Sequence, residues 1–306
     1  MESSVVVKCD GLVKIYKDQR ALDGFSMTIN KGDIYGFVGE NGSGKTTVIR
    51  ILSGLIKLNE GEYQLFGVSP NDRDIVDARK RIGAIVEYPQ LYPTMTMKDN
   101  FNLVGLIVGN SDINEHKRLA ELVGLSDLFE SKKKVMNFSL GMKQRLGIAL
   151  ALLSNPEFVM LDEPMNGLDP EGIVDVRNLI LDLNENNNIT FLISSHILSE
   201  LSLVATRYGI ISHGKMLKEI SKDELNEYVQ PETIINVDMV DEAYNLLYGH
   251  YDVMKDKKGV RIIGNIELNP ILKIFQDNNI NILGINKHEG DIEKYYLSLI
   301  GGRNDD

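Results

Sequence analysis

The sequence is short of cysteine and of positive charge, and each shortage restricts its function. Cys9 is the only cysteine among 306 residues, so no intrachain disulfide can form, which suits a reducing compartment. The formal net charge is −11, whereas a nucleic-acid-binding protein usually presents a basic face. The basic run Lys132–Lys134 is typical of a solvated surface. We therefore expect no nucleic-acid partner.

Long apolar runs are also missing. No stretch approaches the ~18 apolar residues of a membrane-spanning helix, and the longest candidates, Phe101–Val108 and Leu146–Leu153, are short and interrupted. The segment Met1–Asp10 lacks the basic-then-apolar order of a signal peptide. We expect a cytoplasmic chain that reaches a membrane through a partner.

The length and the order of elements predict two domains, because 306 residues exceed the usual size of one core. Strands alternate with helices over residues 1–220, which predicts an α/β domain with a mostly parallel sheet and ligands at the carboxyl ends of its strands. Helical spacing dominates over residues 97–138, a predicted helical insertion between two strands. Residues 221–306 contain 9 Lys and Arg against 16 Asp and Glu, and form a predicted small α+β domain.

Individual elements follow from local patterns. Short strands are predicted over Val5–Val7 and Phe25–Ile29, with a turn at Lys14–Asp18 between them. In the acidic region, strands are predicted over Thr233–Met239, Val260–Ile263 and Ile280–Ile285, and helices over Asp241–Tyr248, Asn269–Phe275 and Asp291–Ile300.

One contiguous stretch fits the phosphate-binding pattern G-x-x-x-x-G-K-[ST]. It lies between a predicted buried strand, Asp33–Val38, and a predicted helix start, Val48–Leu52, which is the context that the motif needs. Glycines let backbone N–H groups surround phosphate oxygens, and the helix N-terminus adds partial positive charge. The alternative is a glycine-rich turn that matches by chance. The loop consists of Gly39, Glu40, Asn41, Gly42, Ser43, Gly44, Lys45, Thr46 and Thr47.

The loop predicts particular tasks for two side chains. Lys45 reaches the β- and γ-phosphates, and the Thr46 hydroxyl ligates Mg²⁺. Two carboxylates, Asp162 and Glu163, follow another apolar strand, Phe158–Leu161. Taken alone, they would be a polar turn. Combined with the loop, Asp162 is predicted to hold Mg²⁺ through water, and Glu163 to polarise the water that attacks the γ-phosphate.

With these motifs, residues 1–220 resemble the ATP-binding subunit of ABC transporters. Ser139–Gln144 resembles the signature loop of that family, whose usual form is LSGGQ, and departs from it at Met142 and Lys143. Asn166–Asp169 resembles the loop that communicates between two ATP sites. Ser139 is also typical of an N-cap that begins a helix, and so is Asp169, which Pro170 follows.

Three further positions match the family. His196 matches the histidine that contacts the γ-phosphate, and Tyr16 matches the aromatic residue that stacks on adenine. Glu87 stands where the family usually has glutamine. A glutamate can still accept Mg²⁺ or hold a water molecule, but its charge opposes the γ-phosphate. Without the resemblance, Tyr16 would be a half-buried tyrosine in a turn and His196 a structural histidine.

The resemblance implies the fold of a P-loop NTPase ABC cassette that hydrolyses ATP with Mg²⁺. Glu163, His196 and Lys45 are the implied catalytic residues, and Thr46, Asp162 and Glu87 surround the metal. Beyond the phosphate loop, the implied nucleotide contacts are Tyr16, Glu87, Ser139, Gly141, Met142 and Asp169.

The resemblance also implies partners. In the family, the signature loop completes the ATP site of the opposite subunit, so a head-to-tail dimer with two sandwiched ATP molecules is expected. A separate transmembrane permease would hold the chain peripherally on the inner face of the cell membrane. Glu87–Pro93 and the small C-terminal domain resemble the branch associated with bacitracin resistance and lantibiotic self-immunity. The alternatives are an exporter ATPase for another substrate and a soluble ABC ATPase that acts on ribosomes or DNA.

Overall fold

The computed structural model describes residues 4–17, 19–288 and 292–301. The chain forms two compact units, the first ending at Lys222 and the second beginning at Asp223. The strands of the first unit are β1 Val5–Tyr16, β2 Gln19–Asn30, β3 Ile34–Val38, β4 Glu60–Leu65, β5 Ile82–Ile85, β6 Phe158–Asp162, β7 Thr190–Ser195, β8 Arg207–Ser212 and β9 Lys215–Ser221. Its α-helices are α1 Lys45–Leu52, α2 Ile75–Lys80, α3 Met97–Val108, α4 Ile113–Leu122, α5 Ser126–Phe129, α6 Leu140–Ala151, α7 Pro170–Asn187 and α8 Leu198–Ser202.

The central sheet of this unit runs in the order β5-β6-β7-β3-β8-β9. All neighbouring strands are parallel except β8 and β9, so the predicted mostly parallel sheet is confirmed. Strands β3, β6 and β7 are buried along their whole length, as their near-continuous apolar sequences require. Because β6, β7 and β3 are adjacent and parallel, the segments that follow them leave the sheet at one edge.

A smaller antiparallel sheet, β2-β1-β4, holds the N-terminal part of the chain. Its strands β1 and β2 each span 12 residues, so the predictions at Val5–Val7 and Phe25–Ile29 were too short. Lys14 and Tyr16 lie within β1 rather than in the predicted turn, and Asp18 lies outside the described residues. The pairing of β1 with β2 shifts register at several points, which interrupts the alternation of apolar and polar residues.

Helices α3, α4 and α5 lie between β5 and β6, as the helical spacing over residues 97–138 predicts. Thr96 caps α3 in a capping box with Asp99, and Asp112 caps α4 by accepting a hydrogen bond from the Asn114 amide. The predicted helix after Ser139 is α6, which Ser139 caps.

Tyr35, a buried side chain of β3, packs against the strands β8 and β9. The Tyr35 hydroxyl donates to Glu219 at 2.7 Å, and burial, together with the nearby Glu219 charge, raises the pKa of Tyr35 well above its ordinary value. A Cβ atom at Gly209 would overlap the Tyr35 hydroxyl. Gly209→Ala should therefore lower the free energy of unfolding by about 2 kcal/mol, since an overpacked core must shift.

Thermal or urea unfolding measures this effect. Gly284→Ala is the matched control, because a Cβ atom there would meet its nearest neighbour, Asn236, at an ordinary 3.6 Å. Equal stability of the two variants would contradict the assigned packing of Gly209 against Tyr35.

The second unit contains the antiparallel sheet β11-β12-β10-β13 and the helices around it. Its core is built around Ile235, Ile262 and Phe275. The sequence did not predict β11 and α9 of this unit. Each buries a single apolar side chain, Val253 in β11 and Leu225 in α9, so neither shows a clear apolar pattern. The strands are β10 Glu232–Val237, β11 Asp252–Asp256, β12 Gly259–Ile263 and β13 Ile282–His288. The helices are α9 Lys222–Tyr228, α10 Val240–Leu247, α11 Leu268–Asp277 and α12 Ile292–Gly301; Asp291, the predicted start of the last helix, lies outside the described residues.

Candidate active site

The loop Gly39–Thr47 connects the buried strand β3 to α1. Gly44, the residue before α1, has φ +114°, and a Cβ atom there would lie 2.8 Å from the Ala21 carbonyl oxygen, so both conformation and space require glycine. The Ser43 hydroxyl is buried in the loop and has no hydrogen-bond partner. A buried hydroxyl without a partner is unfavourable. A phosphate oxygen bound in the loop would satisfy it.

Lys45 begins α1 and points back across the loop. Its side chain is only 5% exposed, and Nζ donates to the carbonyl oxygens of Gly39 at 2.6 Å and Glu40 at 3.2 Å. The same Nζ lies 3.4 Å from Oε1 of Glu163. A buried ammonium held by carbonyl oxygens is a prepared partner for an anion.

Asp162 and Thr46 form the predicted metal side of the site. The Thr46 hydroxyl donates to Oδ2 of Asp162 at 2.8 Å, and the Ser194 hydroxyl donates to Oδ1 at 2.5 Å. Asp162 and Ser194 are direct neighbours in the parallel pairing of β6 with β7. Ser194 was not predicted as a site residue. The polar residues that follow the apolar part of β7 could have indicated it. Its position depends on β7 lying beside β6.

The chemistry of these donors fits Mg²⁺, which prefers hard oxygen ligands and usually binds through one or two carboxylates plus substrate phosphates and water. Among the described residues, no group of three or more His, Cys, Asp or Glu side chains could hold a metal ion. Thr46 and Asp162 would therefore hold Mg²⁺ together with a bound polyphosphate rather than alone.

Glu163 directly follows β6 and lies between two partners. Its Oε2 accepts a hydrogen bond from His196 Nδ1 at 2.8 Å, while Oε1 faces Lys45. Its backbone has φ +51°, which is uncommon for a residue other than glycine, and its amide donates to the Ser194 hydroxyl at 2.9 Å. Ser194 thus bonds both the carboxylate of Asp162 and the backbone of Glu163.

Glu87 lies beside α1, away from the hydrogen bonds of Thr46 and Asp162. Its Oε1 is 2.5 Å from Nη2 of Arg50, a residue for which the sequence gave no expectation. Opposite charges at that distance attract, and an ion pair between a helix and a loop cannot be found from periodicity. In this structure, Glu87 is therefore paired with an arginine and not with Thr46 or Asp162.

The remaining predicted residues lie in two other places. The Ser139 hydroxyl accepts from the Met142 amide at 3.2 Å, and Asp169 caps α7 behind Pro170 by accepting from the Gly172 amide at 3.1 Å, which confirms both predicted caps. A Cβ atom on Gly141 would lie 3.8 Å from Cα of Gly172, so the N-termini of α6 and α7 are neighbours.

Tyr16 ends β1 at the tip of the hairpin, with Lys14 Nζ 5.1 Å from its ring centroid. No hydrogen bond or ion pair of the described residues joins Tyr16 or Ser139 to the loop Gly39–Thr47. The structure brings together Lys45, Thr46, Asp162, Glu163 and His196, and leaves the other predicted contacts at separate positions.

This fold and site define a nucleotide-binding protein with a phosphate loop, and comparisons with known proteins agree. A family model described as ABC transporter matches residues 22–166. The chain is 40% identical over 306 residues to the bacitracin transport ATP-binding protein BcrA of Bacillus licheniformis, covering 98% of each. It is 39% identical over 218 residues to the lantibiotic transport ATP-binding protein SrtF of Streptococcus pyogenes, covering 71% of this chain and 92% of SrtF.

Solved structures show the same cassette. The dimeric structure of MJ0796, a bacterial ABC transporter cassette, is 28% identical with a TM-score of 0.63, covering 71% of this chain and 98% of that one. The chain belongs to the ATP-binding proteins of ABC transporters. It is the ATP-hydrolysing subunit of such a transporter, as predicted. Within the described residues, no helix is long and apolar enough to cross a membrane.

Proposed function

We propose that this chain hydrolyses ATP with Mg²⁺ to power the export of a bacitracin-like peptide antibiotic through a separate permease. The observation that carries the choice of substrate is the extent of similarity. The bacitracin transport protein of Bacillus licheniformis matches 98% of the chain, including the C-terminal region 221–306, whereas SrtF matches 71%. We assign residues 1–220 to ATP hydrolysis and residues 221–306 to a C-terminal domain characteristic of the exporter.

The geometry supports a division of tasks within the site. Lys45, now paired with Glu163, binds the β- and γ-phosphates when ATP enters, which releases one carboxylate oxygen of Glu163. That oxygen accepts a proton from the attacking water, and His196 keeps the carboxylate oriented through its hydrogen bond. Thr46 and Asp162 would hold Mg²⁺, which would supply positive charge against that of the phosphates.

A second copy of the chain would complete each site. Ser139, Gly141, Met142 and Asp169 form one region at the N-termini of α6 and α7, separate in hydrogen bonding from the loop Gly39–Thr47 of the same chain. A helix N-terminus favours anions, so this region of one subunit can cover the nucleotide held by another. The dimer of MJ0796 supports such an arrangement.

The permease would dock where apolar side chains are exposed directly after Glu87 and on α3. Tyr88, Leu106 and Ile107 are each at least 71% exposed, and exposed apolar side chains often mark interaction sites. Docking there would place the chain on the cytoplasmic face of the membrane and connect the permease to the ATP site through the Glu87 loop.

The test is protection of a sensitive bacterium. The chain is produced together with a candidate permease, and the inhibitory concentrations of bacitracin and of a lantibiotic are measured. We expect protection against bacitracin that is lost with Glu163→Gln. Protection against the lantibiotic alone would support the similarity to SrtF instead, and ribosomes rather than a multispan protein in pull-downs from detergent-solubilised membranes would contradict export.

A further inference from the structure

The arginine that pairs with Glu87 lies on the helix that starts at the phosphate loop. Arg50 follows Thr46 by four residues in α1, so the two side chains lie on the same face, about 6 Å apart along the helix axis. Through its contact with Arg50, Glu87 is held on that face, one turn beyond the hydroxyl that bonds Asp162.

The backbone of Glu87 also restricts its side chain. Glu87 has φ +64° directly after β5, a left-handed conformation that a residue other than glycine rarely adopts. Such a conformation persists when surrounding contacts hold it. Among the described residues, the Glu87 side chain forms its hydrogen bond and ion pair with Arg50, so this contact holds the carboxylate.

The balance of charge explains why such a partner is needed. Asp162 and Glu163 already place two carboxylates at the site, and Lys45 faces Glu163. A bound triphosphate adds further negative charge, and a third carboxylate without a partner would repel it. Arg50 removes that repulsion by pairing with Glu87.

We propose that Arg50 is a positioning residue for Glu87. Arg50 neutralises the charge of the Glu87 carboxylate and keeps that carboxylate away from the phosphates. The pair as a whole then carries no net charge, as a neutral side chain at position 87 would. The inference rests on the proposed nucleotide site. An exposed ion pair contributes little to folding, and these side chains are 36% and 55% exposed. The effect of Arg50 should therefore appear in nucleotide affinity rather than in stability.

A double-mutant cycle tests this proposal. Wild type, Arg50→Gln, Glu87→Gln and the double variant are compared in Kd for a non-hydrolysable ATP analogue with Mg²⁺ and in KM for ATP hydrolysis. Arg50→Gln should raise both constants roughly five- to tenfold, the order expected for one uncompensated charge in a partly solvated site. In the Glu87→Gln background, Arg50→Gln should change them less than about twofold. Arg50→Lys should restore most of the affinity, and salt should reduce the effect of Arg50→Gln.

Arg81 provides the matched control, because it forms a similarly exposed pair with Glu157, which precedes β6 at the opposite end of the sheet from Asp162. Arg81→Gln should leave Kd unchanged. An Arg50→Gln effect of the same size in both backgrounds, or none in either, would overturn the proposal. Kd is measured without turnover, so the cycle tests Arg50 even if the wild-type chain binds ATP and does not hydrolyse it. That result would contradict the proposed catalytic roles and would leave the test of Arg50 unaffected.

Discussion

Glu163→Gln is expected to lower the turnover number for ATP by about 10³-fold while ATP binding remains within a few-fold of wild type. Glutamine keeps the size of the side chain and can still contact His196, but it cannot take a proton from water. The phosphate-binding groups around Lys45 remain in place. The closed dimer would open only after ATP is hydrolysed. Because the variant hydrolyses ATP so slowly, it should also accumulate as an ATP-bound dimer.

Phosphate release and light scattering with and without ATP measure these effects. Glu157→Gln is the control, since Glu157 lies in an exposed ion pair before β6 and should keep wild-type turnover. Near wild-type hydrolysis by Glu163→Gln would remove this residue from its assigned role. A purely structural role of Glu163 would instead lower the melting temperature of the variant and weaken ATP binding.

Lys45→Ala is expected to weaken ATP binding by at least about 100-fold, because a close charge pair in a partly buried site is worth several kcal/mol. The side chain is nearly fully buried and bonds two carbonyl oxygens of its own loop, so no other lysine can take its place. The loss should appear in Kd and therefore remove turnover as well.

Titration with a labelled ATP analogue measures the affinity of this variant. Lys132→Ala, which alters an exposed lysine of the run Lys132–Lys134, should bind ATP as the wild type does. A thermal melt separates the loss of a phosphate contact from collapse of the loop. Wild-type affinity in a folded Lys45→Ala variant would show that the loop does not bind the phosphates in the way proposed.

The sequence was most informative where a function depends on neighbouring residues in the chain. The loop Gly39–Thr47 is contiguous, and Asp162 and Glu163 follow an apolar strand, so pattern and context predicted both. Ser194 and Arg50 were missed because their contacts depend on the order of strands and on one face of α1. No local pattern encodes either of these.

The same distinction applies to the fold. Strands β3, β6 and β7 of the central sheet stand out as apolar runs, whereas β11 and α9 bury too few apolar residues to be recognised. The extent of β1 and β2 was underestimated because changes of register between Cys9 and Leu12, and again near Lys14, interrupt their alternation. Local irregularity of this kind is defined by the partner strand, which the sequence alone does not identify.

One subunit is proposed to supply Glu163 and another to supply Ser139 to the same ATP. Mixing Glu163→Gln with Ser139→Arg tests it most directly, because each variant alone should be inactive while a mixed dimer contains one intact site. Random pairing gives about half mixed dimers with one working site of two, so activity on the order of a quarter of wild type should return. Activity equal to the sum of the two separate variants would contradict a site shared between subunits.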